Sequence, residues 1–175
     1  MERRKFVVGL GALASGSAAA MGTGAFSSVE ADRTISVEVA DDSNAYLRLQ
    51  GAGGVNSDYV TSDGTDGVLE INLDSGNDSI AGDGDGVNPD AITKIDDLFV
   101  VENQGTQEVE ITLNKSGDND GLATFYIDDY STTLDGTDLT AGASETISLE
   151  IDTEGSGLTG GDEILDSVTF NADEV

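Results

Sequence analysis

Residues 98–113 read LFVVENQGTQEVEITL. Leu98 to Val101 is apolar on both sides, as in a strand buried in the middle of a sheet. The cluster 103–107, NQGTQ, has turn chemistry, and beyond it Val109, Ile111 and Leu113 alternate with Glu110 and Thr112. Period-two patterning on the far side of a turn reads as a half-buried strand.

Working outward, the alternation recurs. TISVEV aligns Ile35, Val37 and Val39; AYLRLQ aligns Ala45, Leu47 and Leu49; VLEINL aligns Leu69, Ile71 and Leu73. Downstream, LATFYI, TISLEI and ILDSVTF bring Ala123, Phe125 and Ile127, then Ile147, Leu149 and Ile151, then Val168 and Phe170, onto single faces. Clusters rich in Gly, Asp, Asn and Ser separate these runs and supply the positive-φ and side-chain-capped conformations that turns need. NPDAITKIDDLF, residues 88–99, is the one stretch with helical character, Asn88 as a cap and Pro89 in the first turn; it reads equally as a loop leading into a strand. No repeat of 20–50 residues is present, which argues against a solenoid. Eight or so strands joined by turns of mixed length predict an all-β protein, an antiparallel jelly-roll sandwich preceded by an N-terminal signal segment.

Composition narrows the function. The chain of 175 residues carries 35 acidic and 7 basic side chains, a formal net charge of -28, with no cysteine and no histidine. Val, Ile, Leu and Phe make up about a quarter of it, above the roughly one fifth below which a highly charged chain is expected to stay disordered. Self-repulsion on this scale is relieved in concentrated salt, where screening shortens to about 3 Å at 1 M. The surface therefore reads as that of a halophile protein. Repulsion of phosphate excludes nucleic acid as a partner. Without cysteine there is no disulfide framework, thiolate site or lipid-anchoring thiol. Without histidine a Ser-His-Asp arrangement cannot be assembled, and the usual zinc ligand is missing. Carboxylate chemistry is the only catalysis left, and no acidic pair stands out, so no enzyme activity is expected.

The N-terminus, ERRKFVVGLGALASGSAAAMG, places Arg3, Arg4 and Phe6 ahead of a weakly apolar Gly- and Ala-rich run. This pattern resembles a twin-arginine export signal, although Glu2 stands where Ser or Thr is more usual. Ala18-Ala19-Ala20 and Ala25 offer cleavage sites. The run is shorter than the roughly 20 residues of a membrane span, so no stable span is expected after processing. Export machinery and signal peptidase are the expected partners of residues 1–25, and a secreted or cell-surface location follows.

Three sets of residues invite a binding role. Asp83 and Asp85 in GDGDG are weak calcium candidates, since the EF-hand spacing fails at the third ligand and the closing Glu is absent. GDNDG, residues 117–121, is similar and equally incomplete. No resident cofactor is otherwise expected. Asn77-Asp78-Ser79 and Asn114-Lys115-Ser116 are glycosylation sequons placed in expected turns. Tyr46, Tyr126 and Tyr130 would suit a sugar-binding surface or simply the walls of the sandwich.

Two segments carry a family resemblance. GTGAFSSVEADRTISVEV, residues 22–39, resembles the junction between signal and first strand in the TasA/camelysin group of exported fibre proteins. NPDAITKIDDLFVVENQGTQEVEITL, residues 88–113, is similar to that group's Pro-containing loop, apolar strand ending in Asn-x-Gly and following alternating strand. Together they cover about a quarter of the chain, and the acidic composition with the arginine-pair signal looks like a haloarchaeal branch. The resemblance implies a jelly-roll subunit that polymerises head-to-tail into extracellular filaments of biofilm matrix by donor-strand exchange. The metalloprotease activity for which camelysins were named is not carried over, because the chain has no HExxH-type motif. On this reading residues 1–25 are signal, 26–39 a strand-forming arm and first strand, and 40–175 the sandwich. Phe26, Val29, Ile35, Val37 and Val39 are the expected arm contacts. Ile35, Val37 and Val39 read equally as an ordinary first strand of their own domain. The alternative function is a monomeric cell-surface module binding glycan or calcium.

Overall fold

A computed structural model describes residues 35–61, 67–80 and 84–175. The chain divides into a unit of Met1–Val37 and a unit of Glu38–Val175. Of the first, only residues 35–37 are described; they lie outside any strand and are exposed.

The described residues of the second unit form ten strands: β1 (Leu47–Gly51), β2 (Val60–Thr61), β3 (Glu70–Ile71), β4 (Ile92–Asn103), β5 (Val109–Ser116), β6 (Ala123–Ile127), β7 (Thr132–Thr133), β8 (Thr137–Leu139), β9 (Ser144–Asp152) and β10 (Ser167–Glu174). A five-stranded sheet in the order β1-β4-β9-β6-β7 faces a three-stranded sheet in the order β10-β5-β8, and β2-β3 form a small ribbon. Every pairing is antiparallel. This is the all-β antiparallel sandwich expected from the alternation.

The 88–99 stretch is strand, not helix. Pro89 and Asp90, the latter at φ 54°, form a turn, and β4 begins at Ile92. Ile92, Thr93 and Ile95 are β-branched, and pairing with β9 from Ile92↔Asp152 onward outweighs the local capping signal.

The doubly apolar look of Leu98–Val101 has a specific cause. The β4–β9 register jumps between Ile95 and Phe99, so that residues 96–98 oppose the single residue Ser148. This bulge adds two residues to β4, so Ile95, Phe99 and Val101 keep the same phase, and it buries Leu98 as well: Leu98 and Phe99 are both at 0 % exposure, while Val100 is half-buried. The bulge is held by side chains. Asp97, at φ 50°, donates its N–H to Ser148 Oγ (3.2 Å), and that buried hydroxyl donates to the Asp128 carbonyl (2.9 Å).

Between the sheets, Phe99 (β4), Phe125 (β6) and Phe170 (β10) meet edge to face, with centroids 5.8 to 6.4 Å apart. Such pairs contribute about 0.5–1.5 kcal/mol each beyond area burial. Ile111, Leu139, Ile147, Leu149 and Leu134 complete the buried cluster.

Candidate assembly surface

Ile35, Val37 and Val39 are 83, 86 and 101 % exposed. Residues 35–41 belong to no strand, so within the described chain the sandwich's first strand is β1, not TISVEV. The alternation of these three residues is therefore spent on no partner among the described residues. Phe26 and Val29, the other expected arm contacts, lie outside the described residues, as do Arg3, Arg4 and Phe6 of the export signal.

The two sides of the sandwich differ. On the β7–β8 side, Leu134 sits between the strands at 1 % exposure, and its N–H donates to the Phe125 carbonyl (2.9 Å). On the other side lie β1, an edge of the five-stranded sheet, and β10, an edge of the three-stranded one. A groove of about 270 Å³ runs there, lined among others by Tyr46, Leu47, Asn103, Val109, Ala172 and Glu174. Alternation along β10 turns Val168, Phe170 and Ala172 toward the core. Burial fades along that row: Val168 and Phe170 are half-buried and Ala172 is exposed. Leu47 and Val109 across the groove are also only half-buried. At Ala172 the core is not sealed as it is at Leu134, although the β2–β3 ribbon also packs against the core through half-buried Tyr59, Val60, Leu69 and Ile71.

Asn103 pins one end of the seam. It is 3 % exposed, donates Nδ2–H to the carbonyls of Gln107 (2.7 Å) and Leu139 (2.9 Å), and accepts from Gly105 N–H at Oδ1 (2.9 Å). Every polar group of the side chain is satisfied, which is the condition for burying an amide without a large penalty. The Asn-x-Gly of the sequence is thus a tie between the β4–β5 turn and β8.

The outward face of the five-stranded sheet gathers two of the three described basic side chains. Arg48 pairs with Glu102 (2.6 Å) and Lys94 with Glu150 (2.8 Å). Lys94 Nζ also lies 4.3 Å from the centroid of the Tyr130 ring. Tyr130 donates to Asp96 Oδ1 (2.6 Å) and stands 5.5 Å from Tyr126. Burial, and then the Asp96 carboxylate, push the Tyr130 phenol well above the ordinary tyrosine range. Next to it, the Ser131 hydroxyl holds the exposed Asp129 carboxyl below its usual range. Of the three tyrosines considered for sugar binding, Tyr126 and Tyr130 come together, whereas Tyr46 is 83 % exposed beside the seam and β1.

Asp83 lies outside the described residues, Asp85 is exposed, and no group of three or more acidic side chains with metal-holding geometry occurs among the described residues. GDNDG has another use. Lys115 Nζ donates to the carbonyls of Asp120 (2.9 Å) and Ala123 (2.6 Å), and Asn119 Nδ2–H donates to the Glu163 carbonyl (2.7 Å). An ammonium beside the turn's own carbonyls opposes a metal ion there. Gly117 is needed because a Cβ would collide with the Ile164 carbonyl.

The two sequons differ in access. Asn77 is half-buried and its Nδ2, the atom a glycan would occupy, donates to the carbonyls of Asp58 (2.8 Å) and Asn72 (2.9 Å). Asn114 is exposed, but lies within β5 opposite Thr169 and not in a turn.

Sequence reasoning missed Leu134, Asn103, Ser148 and Thr153 as buried anchors. Only Asn103 carried a signal, its position ahead of Gly105 at the end of an apolar strand.

The family profile described as "Protein of unknown function (DUF1102)" matches residues 39–164. The chain belongs to the DUF1102 family. The DUF1102 match runs from the last arm residue, Val39, to the segment that precedes β10. A search of curated proteins returned no match.

Proposed function

We propose that this DUF1102 chain is a secreted structural subunit, not an enzyme, that polymerises head-to-tail into an extracellular filament or biofilm matrix through its N-terminal arm. The observation that carries the reading is the full exposure of Ile35, Val37 and Val39 on an alternating segment that no described strand pairs. Three apolar side chains at period two stay in water only at a cost, about 1.5–3 kcal/mol each relative to burial. An edge strand of another copy offers both main-chain hydrogen bonds and alternating pockets. A head-to-tail contact whose rotation does not close on itself propagates as a fibre. The resemblance to exported TasA/camelysin fibre proteins and the twin-arginine-like leader point the same way. Molar salt screens repulsion between the acidic subunits and strengthens apolar burial.

Deleting Phe26–Glu30 and, separately, replacing Ile35, Val37 and Val39 by Ser tests this by electron microscopy of secreted protein in molar salt. Loss of filaments with a folded monomer remaining is the expected result. Filaments that persist unchanged in both variants sink the reading.

A second reading, a monomeric surface module binding glycan, draws on the Tyr126–Tyr130 pair. Lys94 over the Tyr130 ring weakens it, because that ring face is already taken.

A further inference from the structure

We propose that the seam between β1 and β10 is the acceptor for Ile35–Val39 of a second copy, with the arm adding as a fourth strand along the outer edge of β10. The inference rests on the filament reading and names the surface that reading needs.

Four observations select this edge. The sheets are unequal, five strands against three, so the inner face of the larger one extends beyond the cover of the smaller. At the end of the seam a groove opens between Leu47 of β1 and Ala172 and Glu174 of β10, lined also by Asn103, Gln107 and Val109 around the β4–β5 turn. Among the four outer strands, β7 has two residues and β8 three, too short to template an arm of five; β1 has five and β10 eight, the two strands that flank the seam. Finally, Ala172 points inward by alternation and is nevertheless exposed, and the Phe170 ring, which touches two buried phenylalanines, is itself only half-buried. The inward row Val168, Phe170, Ala172 is what one side of a packed strand looks like when its neighbour is missing.

The occupant follows from chemistry and spacing. A strand added beside β10 must send alternate apolar side chains toward Leu47 and Phe170 and polar ones to solvent. Ile35, Val37 and Val39 with Ser36 and Glu38 between them meet that pattern, and they are the three exposed apolar residues in period-two succession among the described residues. The occupant is a second copy of an acidic chain, and like-charge repulsion sets when it docks. Glu38 on the arm and Glu174 on the seam wall repel, so docking is suppressed in dilute salt and released as screening shortens.

The absence of native cysteine makes the test direct. Full-length chains carrying Val37→Cys and Ala172→Cys singly are mixed in molar salt and treated with a short bis-thiol-reactive linker. Val55→Cys, at a loop position 95 % exposed, serves as the comparison site. The V37C–A172C linked dimer is expected to exceed the V37C–V55C dimer by roughly tenfold, the gain that a docked geometry gives over random encounter. Equal yields overturn the seam assignment. A chain bearing both V37C and A172C that closes within one monomer as fast in dilute solution as it links between copies overturns the second-copy occupant. Ala172→Arg, at an exposed position, is expected to abolish filaments while leaving the monomer's melting transition in place. Filaments that survive A172R but vanish when Ile35, Val37 and Val39 are replaced by Ser refute the seam and leave the filament reading standing; filaments that survive that replacement and the Phe26–Glu30 deletion refute both.

Discussion

The two long sides of the sandwich are built from the same kinds of residue and end differently. On the β7–β8 side a single loop residue, Leu134, is tucked under the Phe125 backbone and the core is sealed at 1 % exposure. On the β1–β10 side nothing among the described residues does this, and inward-facing Ala172 is open. One side is finished within the chain, and the other presents the edges of two sheets and a groove between them. A stable fold needs only enough burial to outweigh chain entropy, and the closed side together with the phenylalanine cluster supplies a core.

The largest test of this contrast is on the closed side. Leu134→Ala should cost about 2–5 kcal/mol in denaturant unfolding at fixed salt, because the loop cannot collapse into the space. Ala172→Ser at the open side should shift monomer stability by no more than about 0.5 kcal/mol. Comparable losses at both positions would mean that the seam is closed in solution. A smaller effect is expected at Tyr130, which ties the β6–β7 turn to the bulge on β4. Tyr130→Phe removes a partly exposed hydrogen bond to Asp96 and should cost about 1 kcal/mol. Its pH dependence has a definite sign. The folded phenol is raised above its unfolded value, so its contribution is complete below the ordinary tyrosine range and is lost as pH rises through the folded value. Alkaline unfolding followed by circular dichroism should therefore begin above about pH 10 in the parent and lose part of its slope in the Phe variant. An unchanged alkaline slope would show that Tyr130 is not a strut of the closed side. The smallest effect concerns Asp138, Glu110 and Asp173, which pair across β8, β5 and β10 near the end of the seam. Like charges directly opposite destabilise by about 0.2–1 kcal/mol. Glu110→Gln should stabilise the fold by that amount in dilute buffer and by nothing measurable in molar salt. Equal gains at both salt levels would point to packing instead of repulsion.

Much of the fold was legible beforehand because alternation is a property of neighbouring residues. β1, β5, β6, β9 and β10 fall where the periodic runs fall, and Ile111, Phe125, Ile147 and Leu149 are in the core as their parity requires. β4 was ambiguous at its start, since Asn88-Pro89 reads as a helix cap until its partner β9 is known. Its apolar doublet looked like two-sided burial, while a bulge set by Ser148, about fifty residues away, is the cause. Leu134 was invisible, being a lone apolar residue in STTLDGTD. The two- and three-residue strands β2, β7 and β8 are too short to show a period. For the candidate site, the arm's apolar spacing was readable and its lack of a described partner was not. The acidic turns looked like metal loops only because composition supplies carboxylates everywhere.

The sequence by itself determined the class, the acidic surface, the absence of thiol and imidazole chemistry, and an arm with three apolar residues at period two, because each depends on composition or on residues adjacent in the chain. Tertiary structure alone decided which strands became edges, that Leu134 closes one side, that Asn103 ties a turn to β8, and that β1 and β10 face each other across an open groove. Those outcomes depend on contacts between segments tens of residues apart, and no local pattern records which partner a strand will find.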